Sequence, residues 1–130
     1  MVVAGDKGTE TMSKQREKAM TPEQLTRLVV QRVNAGDAEG VAELYEPEAV
    51  VAFPPGQTTV GRDAIRAMYQ QLIDTAPEFK PEDPLPTIDF GELALTATHA
   101  RDEAGARAQV VRRQSDGSWL RLLDRPDFRG

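Results

Sequence analysis

The chain has no cysteine and only one histidine among its 130 residues. Without cysteine there can be no disulfide bond, no thiolate metal ligand and no cysteine nucleophile. One histidine with scattered carboxylates gives no recognisable ligand spacing for a metal. A glycine-rich phosphate loop is also missing, as is any Ser/His/Asp arrangement that can be placed. We therefore expect neither a metal site nor a cofactor.

Long apolar runs and aromatic residues are scarce too. No run approaches the length of a membrane span, and residues 1–20 lack the apolar core of a signal peptide, so a cytoplasmic location is expected. Net charge is −5 and the pI is about 4.9, whereas binding to phosphate backbones needs a basic face. Aromatics make up 5% of the chain and are not interleaved with basic residues, which argues against base stacking. Neither nucleic acid nor a membrane is expected as a partner.

What is present suits one globular domain. Apolar residues make up 39% and charged residues 28% of the chain, both ordinary values. Residues 1–20 are polar with no apolar period, which predicts a disordered or weakly ordered N-terminal tail. The folded domain is expected to cover residues 21–130.

The first half of that domain reads as helical. Thr21-Pro22-Glu23-Gln24 is a helix opening with a capping box and proline at the first position, and Gly36 is suited to end that helix. A short second helix is predicted from Asp37 to before Pro47, and a third over residues 62–74, with a strand at residues 49–53 between them.

The second half reads as β structure after a proline-rich loop at residues 76–86. Strands are predicted at residues 87–90, 92–101, 106–114 and 118–124, with turns at residues 102–105 and 115–117. Helices followed by an antiparallel meander indicate an α+β class with helices on one face of the sheet.

Several short motifs occur in an order and spacing that resemble a known superfamily. They are Ala35-Gly36-Asp37, Leu44-Tyr45 followed by Pro47 and Ala49-Val50-Val51, Pro55-Gly56, Gly61-Arg62 followed by Ala64-Ile65, and the closing Asp116-Gly117-Ser118-Trp119 with Asp124. Together they resemble the nuclear-transport-factor-2-like superfamily and, within it, SnoaL-like and ketosteroid-isomerase-like proteins. The resemblance implies a cone-shaped fold, a curved antiparallel sheet packed on three N-terminal helices, with a cavity at one end. It also implies a homodimer through the sheet.

The residues that the resemblance aligns with ketosteroid isomerase catalysis are not kept. Phe53 stands where those enzymes have an aspartate base, Val29 where they have a tyrosine donor, and Gln109 where they have a protonated acid. A side chain with no titratable proton cannot serve as a base. Steroid isomerase activity is therefore not expected.

Asp124 matches the cavity-facing acid that SnoaL-type cyclases carry near the end of the last strand. Strand alternation puts Leu120, Leu122 and Asp124 on one face, where desolvation would disfavour the charged carboxylate and favour a base that abstracts a proton beside a carbonyl. The alternative is that Asp124 caps the strand end or pairs with Arg121 or Arg125.

His99 is the second catalytic candidate. It continues the alternation of Leu93, Leu95 and Ala97, which is expected to point into the cavity, and there it could be an acid or donor near Asp124. The alternative is an inert, hydrogen-bonded histidine at the mouth of the sheet.

Other side chains are candidates for ligand binding. Gln109 could donate an amide hydrogen to a bound carbonyl, or could be a surface residue. The expected cavity lining is Tyr45, Phe53, Met68, Tyr69, Leu72 and Leu122, and the alternative for these residues is plain hydrophobic core. An apolar pocket with a few polar groups is the usual form of a small-molecule site.

The leading hypothesis is therefore a SnoaL-like protein that binds a small organic ligand in an apolar cavity. Cofactor-independent proton transfer on a carbonyl-bearing substrate, of the isomerase or cyclase type, would need only a placed base and a donor. The alternative is a non-catalytic dimeric interaction module. The arginines of the second half fit a solvated outer face or ion pairs across a dimer.

Overall fold

A computed structural model describes residues 16–75, 78–81, 83–99 and 107–126, and within these ranges the chain has three helices and six strands. The helices are α1 Pro22–Asn34, α2 Ala38–Ala42 and α3 Arg62–Thr75. The strands are β1 Tyr45–Val51, β2 Thr59–Val60, β3 Ile88–Phe90, β4 Leu93–Thr98, β5 Arg107–Arg113 and β6 Trp119–Arg125. In the described part of the chain, no helix combines the length and apolarity needed to cross a membrane. The predicted turn at residues 102–105 lies outside the described residues.

Helix α1 starts as its sequence predicts. The Thr21 hydroxyl accepts a hydrogen bond of 3.0 Å from the backbone N–H of Gln24, and Pro22 occupies the first turn. This satisfies one of the N–H groups that a helix start leaves unpaired. The buried face of α1 consists mainly of Leu25, Leu28, Val29 and Val33, which pack into the main core. After the helix, Gly36 takes a positive φ of 74°, a conformation that glycine adopts without strain.

The six strands form one curved sheet in the order β2-β1-β6-β5-β4-β3. The α+β class is confirmed, but the sheet is mixed: β1 and β6 pair in parallel, while the other pairs are antiparallel. The expectation of a wholly antiparallel sheet is wrong at that pair. Strands joined by a hairpin must be antiparallel, whereas β1 and β6 are joined by a long connection that includes α3. The short strand β2 was not predicted either.

Strand β6 contains a bulge that decides which side chains reach the core. Val110 pairs with Leu123 and Val111 with Arg121, so Leu122 is the extra residue. An extra residue shifts the alternation by one. Arg121 and Asp124 consequently both face the core, and the single face predicted for Leu120, Leu122 and Asp124 is wrong because the alternation is broken between them.

Strand β4 presents the opposite face from the one predicted. Ala94, Thr96 and Thr98 are buried, whereas Leu95 is 41% exposed. The prediction assumed that the more apolar face would lie inside. Here the inner face carries threonines, of which Thr96 bonds a buried partner, and the leucine lies on the outer face.

Residues 16–20 pack against the domain. Ala19 is buried, and its carbonyl accepts a 2.8 Å hydrogen bond from the backbone N–H of Trp119. Arg16 forms 2.8 Å ion pairs with Asp37 and Glu43. Charge pairing and backbone bonding thus connect these five residues to the domain, in a segment for which the sequence predicts a disordered or weakly ordered tail. Residues 1–15 lie outside the described part of the chain.

Candidate functional site

A buried carboxylate lies at the centre of the most polar region of the core. Asp124 is 4% exposed, and three side chains donate to it. The Tyr45 hydroxyl donates to Oδ2 at 2.6 Å, the Gln109 amide to Oδ1 at 3.2 Å, and NH1 of Arg121 to Oδ2 at 3.3 Å. Each donor comes from the sheet: Tyr45 from β1, Gln109 from β5 and Arg121 from β6 itself.

The hydrogen bonding extends from Asp124 in two directions. On one side the Tyr45 and Tyr69 hydroxyls lie 2.7 Å apart. Since Tyr45 gives its single proton to Asp124, Tyr69 is the donor in that pair. On the other side the Thr96 hydroxyl donates to Oε1 of Gln109 at 2.7 Å. We call this connected set the polar cluster: Tyr45, Tyr69, Thr96, Gln109, Arg121 and Asp124.

Burial and charge set the protonation states in the polar cluster. Burial, aided by the Asp124 charge, raises the pKa of Tyr45 well above its ordinary value and raises the pKa of Tyr69 to about 12. Burial also opposes the charged form of Arg121, but Tyr45 and Asp124 together outweigh it and raise the Arg121 pKa. The cluster thus holds a buried cation, Arg121, beside two neutral phenols.

One donor of that cation is unused. Nε of Arg121 is buried and has no hydrogen-bond partner among the described residues, while its guanidinium carbon lies 5.8 Å from the centre of the Tyr45 ring. A distance of this size allows a cation–π contact. Arg121 therefore stabilises the cluster by charge more than by a full set of hydrogen bonds.

A cleft of about 620 Å³ lies between α1, the segment around residues 81–87, and the end of β4. Its walls combine apolar and polar residues: Glu23, Thr26, Arg27, Val30, Gln31, Asn34, Pro81, Asp83, Pro84, Leu85, Thr87, Thr96 and Ala97. Thr96 belongs both to this wall and to the polar cluster. The buried carboxylate is thus connected to the cleft through two side chains, Gln109 and Thr96.

The structure brings four of the predicted site residues together: Asp124, Gln109, Tyr45 and Tyr69 all belong to the polar cluster. The pairing with Arg121, which was one of the alternatives for Asp124, is present. Gln109 is buried and is not a surface residue.

The remaining predicted site residues lie elsewhere. Phe53, Met68 and Leu72 are half-buried against the core and line a separate open groove beside β2 and α3. Leu122 is the half-buried bulge residue of β6. His99 lies beyond the end of β4 with an exposed side chain, so the prediction that it points into the cavity beside Asp124 is wrong.

Sequence reasoning missed Thr96 and gave Arg121 only a pairing role. Ala94, Thr96 and Thr98 do alternate along β4, but the competing alternation of Leu93 and Leu95 is more apolar and was preferred. The bulge that turns Arg121 and Asp124 to the same side has no glycine or proline to mark it in β6. Only the strand register identifies it.

Comparisons with known proteins agree with this architecture. The model of the SnoaL-like domain family matches residues 26–122, ending two residues before Asp124. The chain is 35% identical to epoxide hydrolase LasB of Streptomyces lasalocidi over 79 aligned residues. These residues cover 60% of this chain and 28% of that protein. The match therefore spans little more than a quarter of the relative.

Two solved structures have the same fold. A ketosteroid isomerase-like protein of Erwinia carotovora atroseptica has a TM-score of 0.64 at 18% identity, covering 83% of this chain and 94% of that one. An NTF2-like protein with a cystatin-like fold from Novosphingobium aromaticivorans has a TM-score of 0.61 at 21% identity, covering 78% of this chain and 75% of that one.

Proposed function

Because the chain belongs to the SnoaL-like domain family, we propose that it binds a small organic molecule in the cleft between α1 and β4. The observation that carries this proposal is the position of Thr96, which lines the cleft and hydrogen-bonds the chain of groups that leads to Asp124. A largely apolar cleft with a few placed polar groups is the common form of a ligand site. Its volume of about 620 Å³ lies within the usual range for such sites.

The chemistry that best fits the polar cluster is cofactor-independent proton transfer. Asp124 is the proposed acceptor of a substrate proton. Tyr45 is the proposed donor to the substrate oxygen that develops negative charge: its hydroxyl would turn to that oxygen from Oδ2 of Asp124, 2.6 Å away, and Tyr69 would supply the next proton in the same chain. The proton taken up by Asp124 returns to the product or to Tyr69 and closes the cycle. A base and a charge-stabilising donor suffice for isomerase- or cyclase-type reactions at a carbonyl or an epoxide. For a substrate to reach Oδ1 of Asp124, the Gln109 amide must turn away from it.

Ligand binding can be tested by filling the cleft. Val30 is a half-buried residue of its α1 wall, so Val30→Phe is expected to weaken binding of any carbonyl- or epoxide-bearing hit from a thermal-shift panel by at least tenfold. Ala67→Phe introduces the same ring on α3, outside the cleft, and is the control. Equal affinity in wild type, Val30→Phe and Ala67→Phe would place the ligand elsewhere.

The proton-transfer role is tested separately on a hit that is turned over. Asp124→Asn keeps the size of the side chain and removes the base, so turnover should fall by about a hundredfold or more. Circular dichroism must first show that the variant is folded. Unchanged turnover in a folded Asp124→Asn protein would remove Asp124 from the chemistry and leave the binding proposal standing.

A second candidate function, the dimeric interaction module, is favoured by the outer face of the sheet. The register aligns one apolar residue from each strand in a single row: Val60, Val50, Leu123, Val110, Leu95 and Ile88. Leu123 is 48% exposed and Ile88 63% exposed. A continuous exposed apolar surface of this kind usually marks an association site, and a second copy of the sheet would present the same row.

Light scattering after size exclusion tests this candidate. The wild type is expected to elute with the mass of a dimer, and Leu123→Lys, in the middle of the row, with that of a monomer. Met20→Lys is the matched control, because Met20 is 53% exposed and lies outside the row. A monomeric wild type at high micromolar concentration would rule the dimer out.

A further inference from the structure

The direction of the hydrogen bonds in the polar cluster is fixed by Asp124. A carboxylate only accepts hydrogen bonds, and the buried cation of Arg121 beside it matches its ionised form. The Gln109 group at 3.2 Å from Oδ1 must therefore be the NH₂. This turns the Gln109 carbonyl oxygen toward Thr96, which lies 2.7 Å away.

The Thr96 hydroxyl has consequently no proton left for a ligand. A threonine hydroxyl has one proton and two lone pairs, and that proton is donated to Oε1 of Gln109. Toward a ligand, the Thr96 hydroxyl can therefore only accept a hydrogen bond. The charge pair at Arg121 and Asp124 thus fixes, through Gln109, the polarity that Thr96 can offer at the cleft wall.

Glu23 and Thr87, which also line the cleft, have the same polarity. The Thr87 hydroxyl donates to Oε2 of Glu23 at 2.6 Å, and this bond is the main cause of a lowered pKa at Glu23. Both the Thr87 oxygen and the Glu23 carboxylate are therefore acceptors. At the other end, Asn34 donates one of its two amide protons to the Phe79 carbonyl and accepts at its own carbonyl oxygen from the Phe79 N–H, both at 2.8 Å.

We infer, on the basis of the proposed binding function, that the cleft selects a neutral or cationic organic molecule with a hydroxyl or N–H donor directed at Thr96. An ether, ketone or ester oxygen at that point would face acceptor lone pairs without a proton between them. Such an unpaired contact loses the hydrogen bond that the donor would make. Anions are disfavoured because Glu23 and Asp83 outnumber Arg27 among the charged residues of the cleft.

A pair of probes that differ only in the donor tests this inference. 2-Naphthol and its methyl ether, 2-methoxynaphthalene, are titrated separately into ¹⁵N-labelled protein, and the amide shifts of Leu85 and Ala97 in the cleft wall report position and Kd. The baseline is the ratio of the two dissociation constants, Kd of the ether divided by Kd of the naphthol, measured in the Thr96→Val variant. This variant keeps the shape of the Thr96 side chain but lacks its hydroxyl. In the wild type this Kd ratio should exceed the baseline by about threefold to tenfold, because only the naphthol can donate a hydrogen bond to Thr96 and one such bond changes affinity by about that factor.

Two further variants separate polarity from simple packing. Thr96→Ser keeps the hydroxyl and should keep the wild-type ratio. Gln109→Leu removes the acceptor that takes the Thr96 proton, so the freed hydroxyl can donate to the ether and the ratio should fall to the baseline.

The outcomes distinguish the two proposals. If both probes shift the cleft amides but the wild-type ratio equals that of Thr96→Val, the donor requirement is wrong and the binding site stands. If Gln109→Leu keeps the full wild-type ratio, the direction assigned to the chain is wrong. If neither probe shifts the cleft amides, the binding function fails and the inference fails with it.

Discussion

Arg121 and Asp124 lie three residues apart on β6, and yet NH1 of the arginine is 3.3 Å from Oδ2 of the aspartate with both side chains buried. On a regular strand, residues three apart face opposite sides. The bulge at Leu122 turns both inward. The result is a buried ion pair whose hydrogen bonding is incomplete at Nε of Arg121.

Removing one member of this pair should be costly. Arg121→Met leaves the Asp124 charge buried without its cation and is expected to lower the free energy of unfolding by about 3 kcal/mol or more in urea titrations. The double variant Arg121→Met with Asp124→Leu removes both charges and should recover much of that loss. Lys18→Met, which removes the exposed pair with Asp116, is the control and should leave the urea midpoint unchanged. A double variant no more stable than Arg121→Met would contradict this.

Tyrosine ionisation should be suppressed in the folded protein. The chain has two tyrosines, and both belong to the polar cluster, where they face Asp124 and Arg121. Their raised pKa values mean that the folded state holds these protons more tightly than the unfolded state does. Their contribution to stability is complete below pH 10 and is lost as the pH rises toward about 12 and beyond.

Ultraviolet absorbance of tyrosinate, followed together with circular dichroism, checks this. We expect no tyrosinate signal near pH 10 and a steep rise that coincides with unfolding. A folded protein with half of its tyrosine ionised near pH 10 would show that the two phenols are not buried beside a carboxylate.

The two tyrosines should differ when their hydroxyls are removed. Tyr45→Phe leaves Oδ2 of Asp124 without its shortest bond and removes the acceptor for Tyr69, so a loss of about 2 kcal/mol is expected. Tyr69→Phe removes only the first donor of the chain and should cost about 1 kcal/mol. Equal losses in urea unfolding would contradict the assigned direction from Tyr69 to Tyr45 to Asp124.

Residues 16–20 should contribute measurably to stability. Arg16→Ala removes ion pairs to Asp37 and Glu43 and should lower the free energy of unfolding by about 1 kcal/mol, because charge-assisted pairs at the surface are partly screened. High salt should lower the free energy of unfolding of the wild type toward that of the variant. If Arg16→Ala is as stable as the wild type at low salt, the ion pairs of residues 16–20 do not stabilise the domain.

The fold class could be predicted from sequence patterns that each span only a few residues. The opening of α1 at Thr21, the glycine after it and the hairpin turn around Gly117 each specify local backbone geometry, and the structure contains all three. The direction of β6 beside β1 could not be read in this way, because a strand's pairing partner is set by long-range packing and not by its own sequence.

The candidate site was predictable only in part, for a similar reason. Asp124, Gln109 and Tyr45 were identified as candidates, but Arg121 enters the site through a one-residue bulge that the alternation of apolar residues does not show. His99 failed for the converse reason: strand alternation was extended to a residue that lies past the end of β4. The outer face of this sheet is apolar, so hydrophobicity alone favoured the wrong side of β4.

A crystal structure of the protein soaked with 2-naphthol is the most direct test of ligand binding in the cleft. We predict electron density for the rings between α1 and β4, with the naphthol oxygen about 2.7–3.0 Å from Oγ1 of Thr96 and with Gln109 still bonded to Asp124. Density for the probe only on the outer sheet face or beside α3, with the cleft unchanged, would contradict the proposal.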